Sequence, residues 1–207
     1  RDSNHPFPSE KIAALKALKA QGLTERSFPL DATFDDLDLA VVTQTIARIA
    51  PGMPVREYLA TRRLIDTRNG RLVPTLAALL LFGRDPLRWH PRCYVDVARF
   101  EGTARRTGAE YNLVKRVRVE APLAMLIQRA FDAISPQIRE RQRLADLFFT
   151  EKLEYPTFAW QEALVNAVGH RDYGIQGAPI EVWMYDDHME VRSPGPPPVP
   201  VTLEDLK

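Results

Sequence analysis

The sequence predicts an α/β (α+β) chain, a winged-helix-like helical middle segment followed by a helix-plus-sheet domain. Three observations lead there. Residues 31–103 run helix, helix, tight turn, helix, strand in their apolar spacing, with Asn69-Gly70 as the turn. Glu162–Asp172 carries helical spacing. Ile180, Val182 and Met184 alternate with Glu181, Trp183 and Tyr185 ahead of Asp186-Asp187-His188 and Met189–Arg192, which reads as a hairpin with one buried face.

Taken in order, Ser9 is a good N-cap for a helix reaching about Ala20, with Ile12, Leu15 and Leu18 as its apolar face. Residues 1–30 are expected to be the linker or tail of a preceding domain. Asp35–Ile49 shows helical spacing through Leu37, Ala40, Val41, Thr45 and Ile49, and Pro51-Gly-Met-Pro54 breaks it. Val55–Leu64 makes the next helix. Thr75–Phe82 is too uniformly apolar to show a period, and Gly83 closes it as a buried helix. Tyr94, Asp96, Ala98 and Phe100 alternate with Val95, Val97 and Arg99, which predicts a strand. A basic loop then leads into a long helix expected from Val117 to about Leu147, bent at Ser135-Pro136. Residues 104–207 form the last domain and could share its sheet with 92–101. Gly195-Pro-Pro-Pro-Val-Pro200 reads as an extended polyproline segment, and Thr202 caps a helix starting at Leu203.

Composition narrows the class only modestly. The chain has 207 residues, 45% of them hydrophobic and 27% charged, with net charge +1, which is ordinary globular composition. That charge gives no global nucleic-acid signature. The single cysteine, Cys93, rules out an intrachain disulfide and fits a reducing cytoplasm. It lies in a predicted strand and reads as a small buried hydrophobe rather than a nucleophile. No apolar run is long enough to span a bilayer, so no membrane partner is expected. The first residues lack signal-peptide character and Met, so the chain is expected to be an excised fragment.

Glu162, Asn166 and His170 stand at i, i+4, i+8, so an acid, an amide and an imidazole share one helix face. The residues between them are apolar or small, which predicts a largely buried helix with one polar stripe. Either the stripe meets other protein groups or it lines a site for a polar ligand or ion. His170 also suits a helix C-terminus, and Arg171 with Asp172 reads as a weak local ion pair. The His170-Arg171-Asp172 string is not a protein-kinase loop. Position 177 is Gly rather than the required Asn, and there is no G-x-G-x-x-G.

The spacing E-x-x-x-N-x-x-x-H resembles the asparagine box of the GHKL ATPase superfamily. The longer string Glu162-Ala-Leu-Val-Asn-Ala-Val-Gly-His-Arg-Asp-Tyr173, with Tyr155-Pro156 before it and Asp186–Gly195 after it, is similar to one branch of that superfamily. In that branch a GHKL-like domain ends bacterial and archaeal transcriptional regulators that carry an N-terminal Schlafen-type AlbA domain, often labelled ATP-dependent DNA helicase-related. Pro74–Pro86 and Arg99-Phe-Glu-Gly-Thr103 resemble further segments of it.

The resemblance implies ATP and Mg as cofactors, with Asn166 holding the metal and Glu162 as the catalytic acid or base. It gives His170, Asp187 and Gly195 as further nucleotide contacts. The first glycine box should fall near Ser193-Pro194-Gly195, where no Asp-x-Gly-x-Gly stands, so tight nucleotide binding by this chain is not expected. The leading expectation is a regulator fragment with a degenerate ATP-binding domain. The alternatives are an active Mg-ATP-binding or hydrolysing domain and a dimerisation scaffold without a ligand. DNA is the expected partner of the full-length protein. Arg62, Arg63, Arg105, Arg106, Lys115 and Arg116 are the candidate phosphate contacts, against the alternative of a merely solvated basic face.

Overall fold

The computed structural model describes residues 25–145 and 148–196. The expected helix at 9–20, the polyproline stretch from 197 onward and the helix after Thr202 lie outside them. The chain is α+β, with helices and a mixed sheet.

The helical unit comes first. Helix α1 (Leu39–Ile49) starts later than the apolar spacing predicts. Thr33 and Asp36 close a capping box on a short 3-10 turn at Phe34–Asp36, and Leu37 then runs extended and fully buried, bridged to Gly83. Burying Leu37 this way ends the first turn, and Asp38 restarts the helix by accepting from the Ala40 and Val41 amides. Helix α2 (Val55–Thr61) follows. Strands β1 (Ile65–Arg68) and β2 (Arg71–Pro74) form the expected hairpin, with Asn69 at φ 50° and Gly70 at φ 74°. Positive φ at both central residues is the turn that matches strand twist. Helix α3 (Leu76–Phe82) is capped by Thr75 and buried, and the one-turn α4 (Pro86–Trp89) follows it.

The second unit is a four-stranded sheet. Strand β3 (Tyr94–Phe100) is central and buried along its whole length. It pairs antiparallel with β4 (Leu113–Glu120) and parallel with β7 (Ile180–Met184), which turns back into β8 (Met189–Arg192). Because β3 lies between β4 and β7, this sheet draws on residues from both sides of position 103.

The long helix expected from Val117 to Leu147 is not there. Val117 and Val119 instead pair with Val97 and Val95 as part of β4. Helix α5 (Leu123–Ile134) begins only after Pro122, which has no N–H to donate and pushes the residue before it out of helical conformation. A 3-10 turn at Ser135–Gln137 ends α5, and β5 (Glu140–Ala145) pairs with β6 (Phe148–Leu153). Helix α6 (Thr157–Gly169) then packs on the sheet as expected. Trp160, Leu164, Ala167 and Val168 meet Val95, Val97, Ile180, Val182 and Met184 in one core.

One buried charge holds these pieces in register. Arg99, only 3% exposed, donates to Glu154 Oε2 at 2.7 Å and Oε1 at 2.9 Å, and to Asp186 Oδ1 at 2.8 Å. Tyr155, also within reach of Arg99, donates to the Tyr185 carbonyl. Removing one partner of a buried pair strands the other. Glu154→Gln and Arg99→Met are therefore each expected to lower the unfolding free energy by about 3–5 kcal/mol in urea titrations. Arg106→Gln, which loses only an exposed contact at 3.9 Å to Glu110, should change it by under about 1 kcal/mol.

Candidate functional site

Helix α6 has two unlike faces. Its inward stripe, Trp160, Leu164, Ala167 and Val168, is buried against the sheet. Its outward stripe holds Phe158, Glu162, Val165, Asn166 and Gly169, all exposed, with Phe158 at 79%. The largely buried polar stripe expected from the sequence is thus corrected. The sheet offers α6 a single apolar face, so only one side of the helix is covered. The other side carries the acid and the amide to the surface.

On that surface Asn166 Nδ2 donates to Glu162 Oε1 at 3.1 Å. This leaves the amide oxygen and the second carboxylate oxygen as hard donors of the kind that suit Mg²⁺. The pair fits a metal held jointly with phosphate oxygens better than one held by protein alone. Among the described residues no cluster of three or more His, Cys, Asp or Glu could hold a metal by itself. His170 is the C-cap of α6; it is exposed, and its backbone N–H donates to the Asn166 carbonyl at 2.9 Å.

The two remaining predicted contacts part company. Ser193 Oγ donates to the Ala167 carbonyl at 2.8 Å, and the Asp172 amide donates to the Pro194 carbonyl at 2.9 Å. Gly195 therefore packs beside Asp172, just past the C-terminal end of α6. Its φ of 126° suits only glycine, and a Cβ there would lie 2.9 Å from Asp172 Cβ. Asp187 sits in the β7–β8 turn, where it holds His188 Nδ1 at 2.6 Å. That turn is tied through Tyr185 to Tyr155, just before α6 begins. Gly195 and Asp187 thus lie toward opposite ends of the helix. Its neighbour Asp186 is committed to Arg99 and to the Gly102 amide.

The basic candidates also divide. Arg62 and Arg63 end α2 in the helical unit, with Arg63 at φ 56°. Lys115 and Arg116 lie on the edge strand β4, and Arg105 and Arg106 in the loop before it. Arg116 Nε is bound to Asp96 at 2.9 Å, Arg106 approaches Glu110, and Arg105 lies over the Trp183 ring at 5.2 Å. Arg118 likewise pairs with Glu120. Neighbouring acids thus offset much of the positive charge on this edge. Charged side chains along an exposed edge also keep it from pairing with another sheet.

Two residues escaped the sequence reading. Arg99 looked like an ordinary alternating strand position. Arg171 was expected in a surface ion pair with Asp172, but it is 4% exposed and donates through Nη2 to the carbonyls of Ile175 at 3.0 Å and Ala178 at 2.7 Å. Asp172 instead accepts from the Gly174 amide. The available signal was spacing, because Arg171 continues the inward series Trp160, Leu164, Ala167, Val168. Cys93 is buried, and burial pushes its thiol up to about 11, away from the reactive thiolate.

No protein-family model and no curated protein matches the chain. Among solved structures it is similar to the DIP2311 protein from Corynebacterium diphtheriae, a structural-genomics target, at TM-score 0.60 and 19% identity. The match covers 99% of this chain and 40% of that one, so this chain spans well under half the length of its structural neighbour. At that identity the likeness speaks to fold alone.

The Asp186 carboxyl is held below the usual carboxylate range, first by the Gly102 amide and then by Arg99. A depressed folded value gives stability that is present above the unfolded value, about 3.9, and lost as pH falls through the folded one. Asp186→Asn should therefore lower stability at pH 7. The gap to the unsubstituted protein should close as pH falls below about 4 in denaturation series.

Proposed function

We propose that this chain is part of a transcriptional regulator whose helix-plus-sheet unit is a degenerate ATP-binding module of the GHKL type. The observation that carries the reading is the Glu162–Asn166 pair, hydrogen-bonded on the solvent side of α6 rather than spent on the core. The Ser193–Gly195 turn packed at the end of the same helix adds to it. An acid and an amide placed there can hold a hydrated Mg²⁺ against phosphate oxygens, and the Glu162 carboxylate can orient water.

The module is degenerate in its phosphate cradle. Phosphates need convergent backbone N–H groups, usually from a glycine-rich loop. Here the turn at the end of α6 supplies Gly195 without a second glycine beside it. A specific observation favours a second reading, a dimerisation scaffold. Phe158 and Val165 are exposed beside the polar pair, where a second chain could cover them. DNA is the partner of the full-length regulator in either case.

Calorimetry with Mg-ATP on this chain is expected to show no dissociation constant tighter than roughly millimolar, in line with the missing cradle. A micromolar constant that disappears in Asn166→Ala would overturn the degenerate reading in favour of an active ATPase domain. For DNA, fluorescence anisotropy with a short duplex should show weak binding that falls steeply between low and moderate salt. The triple charge reversal of Arg105, Arg106 and Lys115 to Glu should weaken it further. Arg116 is left intact because an acid there would face the buried Asp96. Tight binding indifferent to salt would count against the phosphate reading.

A further inference from the structure

The chain buries two arginines under quite different conditions. Arg99 has its acids, Glu154 and Asp186. Arg171 has none: no carboxylate of the described residues stands within ion-pair distance of it. Its Nη2 is spent on two carbonyls of the loop that follows α6, while Nε and Nη1 are sealed from water without any acceptor. The Tyr173 ring, 5.1 Å from its guanidinium carbon, and the two carbonyls offset part of the several kcal/mol that burying a cation without a paired anion costs, and an anion here would offset more.

Beside Arg171 lies an open cavity of about 370 Å³ between the helical unit and the sheet unit. Leu80 and Leu81 of α3, Leu123 and Ile127 of α5, and Val165 of α6 give it apolar walls, and Arg171 forms part of its lining. The volume falls in the range of small-molecule sites, and a seam between packed units is a common place for them. Glu25 also reaches the wall, and its carboxyl is pushed up, toward the neutral form, mainly by burial. Neither Glu162 nor Asn166 lines this space.

We infer that this cavity binds a small anionic amphiphile, an aliphatic chain ending in a carboxylate, with the chain among the leucines and the carboxylate against Arg171. The walls recognise length and apolarity. The guanidinium, part of the lining, recognises the charge. Because α3, α5 and α6 all contribute, a bound ligand would brace the helical unit against the sheet. In a regulator, that is a place from which a metabolite could act. The site is separate from the nucleotide reading, since neither member of the Glu162–Asn166 pair lines it.

Octanoate, octan-1-ol and octylammonium serve as probes, titrated into the whole chain at neutral pH by calorimetry and by methyl NMR. Octanoate should saturate and bind at least about tenfold more tightly than the alcohol, since a charge-assisted bond is worth that factor, and octylammonium should not bind. Ile127→Trp, which fills the cavity and leaves Arg171 alone, should abolish octanoate binding while the melting temperature holds. Arg171→Met should erase the preference for carboxylate over alcohol. That variant also loses the bonds to Ile175 and Ala178, so Ile127→Trp stands as the control that does not depend on it. Asn166→Ala should leave octanoate binding unchanged whatever it does to Mg-ATP. No saturable octanoate binding, equal binding of the alcohol or the ammonium, or indifference to Ile127→Trp would each overturn the inference.

Discussion

A charge in the middle of a sheet must bring its own partners, and Arg99 is where this chain meets that demand. The guanidinium sits at the end of the central strand on the same side as Val95 and Val97, facing the helices. Its acids come from segments far apart in sequence, Glu154 just ahead of α6 and Asp186 in the turn after β7. Each acid must arrive at one point, so the start of α6 and the end of β7 are fixed relative to β3. Tyr155 adds a further tie to the Tyr185 carbonyl. A hydrophobic residue could fill the same volume at less desolvation cost, but it would accept the helix at many offsets. The ion pairs accept one.

With α6 held at that offset, the division of its surface follows. Trp160, Leu164, Ala167 and Val168 take the sheet, and the turns between them have nowhere to go but outward. Glu162 and Asn166 reach the surface for this reason, and Phe158 and Val165 are carried out beside them. The Ser193–Gly195 segment closes on the end of the same helix because β8 delivers it there. The candidate site is thus made by the core's geometry as much as by the residues that display it.

What the sequence disclosed follows the reach of each signal. Local signals were legible. Asn69-Gly70 required positive φ at both positions, and Thr75 with Gly83 bounded a buried helix. The hairpin of β7 and β8 was plain because one face is apolar and the other is not. Of the helix expected over Val117–Leu147 only Leu123–Ile134 is helical, because the charges of β4 also suit a helix surface. The alternation of Val117 and Val119 with Arg116 and Arg118 carried the strand signal, and Pro122 marked the break. The burial of Arg171 and the exposure of the α6 stripe depend on which neighbours arrive from elsewhere in the chain. Spacing within one helix shows which residues share a face, not which face is covered.

The place of β3 in the sheet has a consequence for how the chain reaches this fold. On one side it pairs with β4, the next strand to be made. On the other it pairs with β7, which follows only after α5, the β5–β6 hairpin and α6. The long loop closed by that parallel pairing costs entropy before it returns any contact, and such topologies fold slowly. Until β7 arrives, β3 presents an unpaired edge of backbone N–H and C=O groups. A ribosome-bound or truncated chain ending anywhere before Ile180 therefore carries an adhesive strand without its natural cover. Arg99 stands at the far end of that same strand, a charge with Glu154 but without its second acid until Asp186 is made. It makes the half-finished sheet less welcoming to a stranger's strand than to its own.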